Sequence, residues 1–312
     1  MCGIFGYQLA EGALSDGRKL LFAANLAALN DNRGGHSWGV ALLPGPDDKD
    51  LKVMVDRGLG EIADNVECLM GTDAFFGHTR FATVGDKTVE NAHPFEMGKI
   101  IGAHNGAVYN HLELKTKLQR DFQVDSMHVF AHLNEGRNFG ELEGYGAIVW
   151  IEKEYPKRIY LCKLRGGSLS VWGFGKFKKG IMGVAFSSDK DHLKIAASRS
   201  GIADSEHFSY GIEEDQVYFI ENAMLYEATN KLAVSTRKYQ VTKTCDVSWD
   251  GYGGGQWEHY HGGNTKSGKS SFGEERTPLP TEIPFGLLAD DDEDTESQTE
   301  PKLNDMLLLN GT

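Results

Sequence analysis

Residues 146–151, GAIVWI, are apolar at nearly every position. A strand with one wet face alternates apolar and polar residues, so this run is expected to be a strand covered on both faces. Such a strand must sit inside a layered body, between a second sheet and a layer of helices. Further strand-like runs are IFGYQL near the start, SWGVALL (37–43), LKVMV (51–55), AFFGHT (74–79), KIIGAHN (99–105), RIYLCKL (158–164), GIMGVAF (180–186) and QVYFI (216–220). Between them, DGRKLLFAANLAALND (16–31) carries Leu21, Ala24 and Ala28 at helical spacing, and DSMHVFAHL (125–133) opens with Asp and Ser in capping positions. The pattern is strand-rich α+β, and a sandwich with helices outside its sheets is the economical fold.

The chain has 312 residues, enough for a large buried core. Its 45 acidic and 32 basic residues give a formal charge of -13, which argues against a surface that neutralises nucleic acid or anionic lipid. No run approaches the roughly 20 apolar residues of a membrane span, and the start lacks signal-peptide order, so a cytoplasmic protein is expected. Cys2, Cys68, Cys162 and Cys245 are scattered, with neither zinc-ligand spacing nor a disulfide framework. No metal or cofactor is expected. Beyond about 250 the composition changes to Gly, Ser and His and then to the acidic run ADDDEDTESQTE. That stretch, 251–312, is expected to be a low-complexity disordered tail after a folded domain of 2–240, with NDMLLLNGT either a frayed end or a short docking motif.

The chain opens MCGIFGY. Removal of Met1 would put a thiol and an α-amine on one residue, and an α-amine with a pKa of about 8 can take the thiol proton near neutrality. Cys2 is therefore a candidate nucleophile rather than core filler. GHTRFATVGD (77–86) offers Arg80, a side chain suited to gripping a carboxylate at two points. ENAHPF (90–95) offers His93, and IGAHNGAVYN (101–110) offers an Asn105 amide and a Gly106 N–H, expected on one turn, as donors to an oxyanion. Asp125 could receive an ammonium group. Each has a plainer reading: a structural salt bridge for Arg80, a turn histidine for His93, a helix cap for Asp125.

Taken in order, MCGIFG, NRGGHSWG (32–39), GHTRFATVG, NAHPF, HNGAVYN and the Asp-Ser pair at 125–126 resemble the glutaminase domain of class II glutamine amidotransferases, which are N-terminal-nucleophile hydrolases. The resemblance covers residues 2 to about 230. It implies a four-layer αββα sandwich of two stacked antiparallel sheets flanked by helices. It also implies that Cys2 attacks the side-chain amide of L-glutamine to form a thioester, with Asn105 and Gly106 stabilising the oxyanion. Arg80 would hold the α-carboxylate, with Thr83 and His93 lining that end, and Asp125 the α-ammonium. The chain departs from the family's habit at Phe81, where Trp is common, at Val84 and Phe95, where His is frequent, and at Met127, where an acidic residue is frequent.

Members of the family usually carry a second, ammonia-using domain, for which about 77 residues after 235 leave no room; a separate acceptor synthetase chain is therefore the expected partner. Two other readings stand beside this one: an N-terminal-nucleophile amidohydrolase acting on another amide, and a catalytically silent interaction protein.

Overall fold

The structure is a computed structural model, and it describes residues 2–248 except 46–47, 49, 138, 177–179, 203–206, 229–240 and 245–246. The expected tail at 251–312 lies outside the described residues, as do Met1 and Cys245. In chain order the elements are β1 (Gly3–Leu9), α1 (Asp16–Asp31), β2 (Ser37–Leu42), β3 (Met54–Leu59), β4 (Ala74–Arg80), β5 (Phe95–Met97), β6 (Ile100–Val108), α2 (His111–Leu118) and α3 (Asp125–Asn134). They continue with β7 (Gly144–Glu152), β8 (Ile159–Lys163), β9 (Ser170–Lys176), β10 (Gly180–Ser187), α4 (Lys190–Arg199), β11 (His207–Tyr210), β12 (Val217–Glu221), β13 (Met224–Ala228), β14 (Val241–Thr244) and β15 (Val247–Ser248).

Two sheets form, the first in the order β15-β11-β9-β10-β1-β4-β2-β3 and the second in the order β14-β13-β12-β8-β7-β6-β5. Every strand pairing within them is antiparallel. The run GAIVWI shows why they stack. In β7, Ala147, Val149 and Ile151 point into an apolar layer with Ile4, Phe76, Val184 and Phe186 of the first sheet. Ile148 and Trp150, one residue out of phase, face Val129, Phe130 and Leu133 of α3 and Leu114 and Leu118 of α2. The first sheet is built the same way: Phe5, Tyr7 and Phe75 turn outward onto Phe22 and Leu26 of α1 and Leu193 and Ala196 of α4. Three apolar layers thus separate four structural ones, helix–sheet–sheet–helix, as the resemblance implies.

Two local expectations change, and two helices were not foreseen. The strand expected at 51–55 runs from Met54 to Leu59, because pairing with β2 sets it, with Ser37 opposite Leu59 and Leu42 opposite Met54. It is an edge strand, which tolerates the polar pair Asp56 and Arg57. The strand expected to end at Asn105 continues to Val108 and places Asn105 and Gly106 opposite Ala147 and Gly146. They lie in a ladder, not in a turn. A Cβ on either Gly106 or Gly146 would collide with the facing backbone, so two opposed glycines let the strands approach here. Finally α2 and α4, which have only Leu114 and Leu118, and Leu193, Ala196 and Ala197, as buried positions, carry too narrow an apolar stripe to stand out in the sequence.

Candidate active site

Antiparallel pairing fixes the first half of the site. Gly3 lies opposite Thr79, so Cys2, one residue before β1, falls beside Arg80, the last residue of β4. The Phe81 N–H donates to Cys2 Sγ at 3.3 Å, and Arg33 Nε donates to the Cys2 carbonyl at 2.9 Å. Gly34 makes this packing possible: a Cβ there would meet the Phe81 nitrogen at 2.7 Å. Cys2 is half-buried. Burial pushes its thiol pKa up, while the Phe81 amide and the Arg80 and Arg33 cations draw it down less strongly. The sulfur is a thiol near neutrality and needs a base before it can attack.

Arg80 is 3% exposed, and its fork is partly used. Nη2 donates to the Val84 carbonyl at 2.6 Å and Nη1 to the Asp86 carbonyl at 3.0 Å, so the guanidinium staples the loop that follows its own strand. Of its five N–H donors, two are used in this way, and three are left among the described residues. The Asn91 amide also donates to the Asp86 carbonyl, at 3.1 Å. Thr83 sits exposed on this loop, between exposed Val84 and half-buried Ala82.

The second sheet supplies the rest. Asn105 and Gly106 are half-buried in β6, and Asn105 Nδ2 donates to Ser188 Oγ at 3.0 Å. Ser188 is bound in turn to β1: its hydroxyl accepts the Ile4 N–H at 2.9 Å and its own N–H donates to the Ile4 carbonyl at 2.7 Å. Asn105 is thereby tied to β1, the strand that begins beside Cys2, across the gap between the sheets. Asp125, the first residue of α3, accepts the Val108 N–H through Oδ2 at 2.8 Å and the Ser126 hydroxyl through Oδ1 at 3.5 Å. Asp125 and Cys2 both lie within electrostatic reach of the buried Arg80 guanidinium.

His93 is placed differently. It is 3% exposed and packed between His78 and Phe95, with ring centroids 4.0 and 4.2 Å away. Among the described residues neither of its ring nitrogens has a hydrogen-bond partner. Burial pushes its pKa well down, and that of His78 down to about 3, so both are neutral. His104, also buried, bonds Ser126 Oγ through Nδ1 at 2.9 Å and faces the Tyr145 carbonyl with Nε2. The structure thus brings Cys2, Arg80 and the loop carrying Thr83 together, and ties Asn105 and Asp125 to the neighbouring strands. His93 lies among buried rings. Sequence reasoning gave no role to Ser188, Arg33 and His36, whose only signals are a Ser-Ser pair after a strand and the motif NRGGHS, and it quoted Ser126 only as half of the Asp-Ser pair. Among the described residues, no group of three or more His, Cys, Asp or Glu is placed to hold a metal ion, and no helix is long and apolar enough to cross a membrane.

Comparison with known proteins finds relatives by sequence and by fold. The chain is 38% identical over 199 residues to a glutamine–fructose-6-phosphate aminotransferase (isomerizing) of Aquifex aeolicus, covering 56% of this chain and 31% of that protein. It is 30% identical over 287 residues to the corresponding enzyme of Idiomarina loihiensis, covering 83% of this chain and 42% of that protein. The chain therefore spans less than half the length of these curated relatives. Among solved structures, the glutamine phosphoribosylpyrophosphate amidotransferase of B. subtilis matches 74% of this chain and 50% of its own, with a TM-score of 0.52 at 18% identity. A second, an allosteric regulatory enzyme of purine biosynthesis, matches 73% of this chain and 50% of its own, with a TM-score of 0.54 at 18% identity. No protein-family model matches the chain. The relatives are glutamine amidotransferases, as the motifs indicated, and the neighbours share the two-sheet α+β fold.

Proposed function

We propose that the chain is a glutamine amidotransferase subunit that hydrolyses the side-chain amide of L-glutamine through Cys2 and delivers ammonia to a separate acceptor synthetase in the cytoplasm. The observation that carries this reading is the convergence of a candidate nucleophile, a cation and an amide donor on two sheets joined by the Asn105–Ser188–Ile4 bonds. Met1 is removed in this reading, and the α-amine so released on Cys2 takes the thiol proton, overcoming the upward push of burial on the thiol. The thiolate adds to the carboxamide carbon. The oxyanion that forms takes hydrogen bonds from Asn105 Nδ2 and the Gly106 N–H. An amide NH2 has two donors, so with one held by Ser188 the other has a fixed direction. The same proton returns to the leaving nitrogen as the C–N bond breaks, ammonia departs, and water opens the thioester to glutamate.

A zwitterionic substrate needs an anchor of each sign. Arg80 has three donors left for the α-carboxylate, with Thr83 on the loop above it. Asp125 keeps acceptor capacity for the α-ammonium after taking the Val108 N–H. His93, from its buried place, contributes to the site through packing. The alternatives, another amide as substrate or a silent interaction role, lack a comparable use for both charged anchors.

The test is release of ammonia from L-glutamine by the purified chain, together with its intact mass. The expected results are loss of Met1, turnover of glutamine, and a fall of roughly three orders of magnitude or more in Cys2→Ala. Retention of Met1, or ammonia release undiminished in Cys2→Ala, would end the proposal.

A further inference from the structure

The loop 81–87 touches the candidate nucleophile through the Phe81 amide, and Arg80 grips its later carbonyls. Its near end is held by a third group, His36, which no motif reading assigned a role. The imidazole stacks on the Phe81 ring at 4.6 Å and 26°. Its Nδ1 lies 2.9 Å from the Ala82 nitrogen, and its Nε2 lies 3.1 Å from Lys87 Nζ. The His36 backbone is itself fixed, donating to the Arg80 carbonyl at 3.0 Å and accepting the Gly60 N–H at 3.1 Å.

Hydrogen counting decides what the ring can do. The Ala82 nitrogen and the Lys87 ammonium are both donors, whereas a neutral imidazole has one lone pair to offer. The Ala82 amide belongs to the backbone and cannot turn away, so Nδ1 takes its proton and Nε2 carries the ring hydrogen. Lys87, on its flexible stem, is then the displaceable contact. A protonated ring would have no lone pair and would face two donors.

We propose that His36 is a positioning residue whose unprotonated imidazole clasps the Ala82 amide and seats the loop 81–87 against Cys2, so that acid releases the loop. The clasp rests on the reading of Cys2 as the nucleophile for glutamine. The charged groups acting on the ring are Lys87 from the loop and Arg80 from the end of β4, both cations; Glu61, on the turn after β3, lies beside the neighbouring Gly35. Burial first, then Lys87 and Arg80, hold the imidazole below its ordinary pKa. The sign follows: the clasp is closed at neutral pH and opens only as pH falls below the usual histidine range.

The experiment is amide hydrogen exchange of the 81–87 segment in the full chain, as protection factors from pH 8 to 4.5, with β7 as an internal control. In the unsubstituted protein, protection should fall along one titration curve below pH 6.5 while β7 stays protected. His36→Phe keeps the stacking and removes the acceptor, and should cut protection of the segment roughly fivefold at every pH. His36→Asp restores an acceptor that titrates near 4, and should recover protection and remove the acid step above pH 5. Unchanged exchange in His36→Phe, or protection independent of pH in the parent, would overturn the clasp. Turnover gives the second readout: His36→Phe should raise the KM for glutamine roughly fivefold with kcat little changed, and His36→Asp should restore it. The exchange measurement needs no turnover. A parent protein that leaves glutamine intact would refute the glutaminase reading while the exchange result still judged the clasp.

Discussion

The two sheets bring their groups to the site in different ways. The first sheet offers Cys2 and Arg80 from the very ends of β1 and β4, where ladder pairing stops, and it holds them with side chains: Arg33 on the Cys2 carbonyl, Arg80 on its own loop, His36 on Ala82. The second sheet offers Asn105 and Gly106 from within a ladder, paired across to β7, and Asp125 from a helix whose start is bonded to Val108. A ladder fixes position at the cost of freedom, and a stapled loop keeps some freedom to admit a substrate. In the proposed reaction, then, Asn105 in its ladder should act on the chemical step and Arg80 on its stapled loop on binding, while Cys2 and Asp125 show that neither sheet is confined to one task.

The sharpest way to break this division is Asn105→Ala. On the second-sheet side, loss of the oxyanion donor should lower kcat by about 100- to 1000-fold and leave the KM for glutamine within a few-fold of the parent. An equal rise in KM would mean that Asn105 binds the ground state, and the contrast between the sheets would fail.

Arg80→Lys tests the first sheet. An ammonium cannot hold the Val84 and Asp86 carbonyls while presenting a planar fork to a carboxylate. Hydrogen bonds to a charged group are worth about 1.5 to 3 kcal/mol, so KM should rise roughly 10- to 150-fold with a smaller fall in kcat. If kcat carried most of the loss in steady-state kinetics, the loop and its staple would belong to the chemistry.

The contrast also explains what could be read in advance. GAIVWI announces a strand apolar on both sides, and α1 is legible because Ala and Leu recur along it; both depend on local periodicity. The site residues were legible as motifs, since chemistry demands their residue types. Their settings were not. Asn105 meets Ser188 across 83 positions of sequence, and no spacing reports that. Whether β6 ends at Asn105 or runs to Val108 depends on a pair of glycines facing each other from two strands, a property of the pairing and not of either run. His93 before Pro94 looked like a turn residue, but its ring packs between Phe95, two residues on, and His78, which is distant in sequence and adjacent in space.

Those buried rings give the smallest effect, at the seam where the sheets meet. His78 comes from β4 in the first sheet and His104 from β6 in the second, and burial, followed by His104 and Arg80, lowers the His78 pKa from 6.5 to about 3. A group whose folded pKa is depressed binds its proton more readily in the unfolded chain, so stability falls as pH drops below 6.5 and continues to fall toward 3. At pH 5 the difference is about 1.5 pH units, or about 2 kcal/mol from His78 alone. His93, also held neutral chiefly by burial, acts with the same sign. Urea unfolding at pH 7 and pH 5 should therefore show a midpoint that moves down in acid by an amount that His78→Asn reduces. The midpoint is the quantity to compare, because the asparagine lacks the imidazole's volume and lowers stability at both pH values for a separate reason. A midpoint shift equal in parent and variant would remove His78 from the account of acid sensitivity.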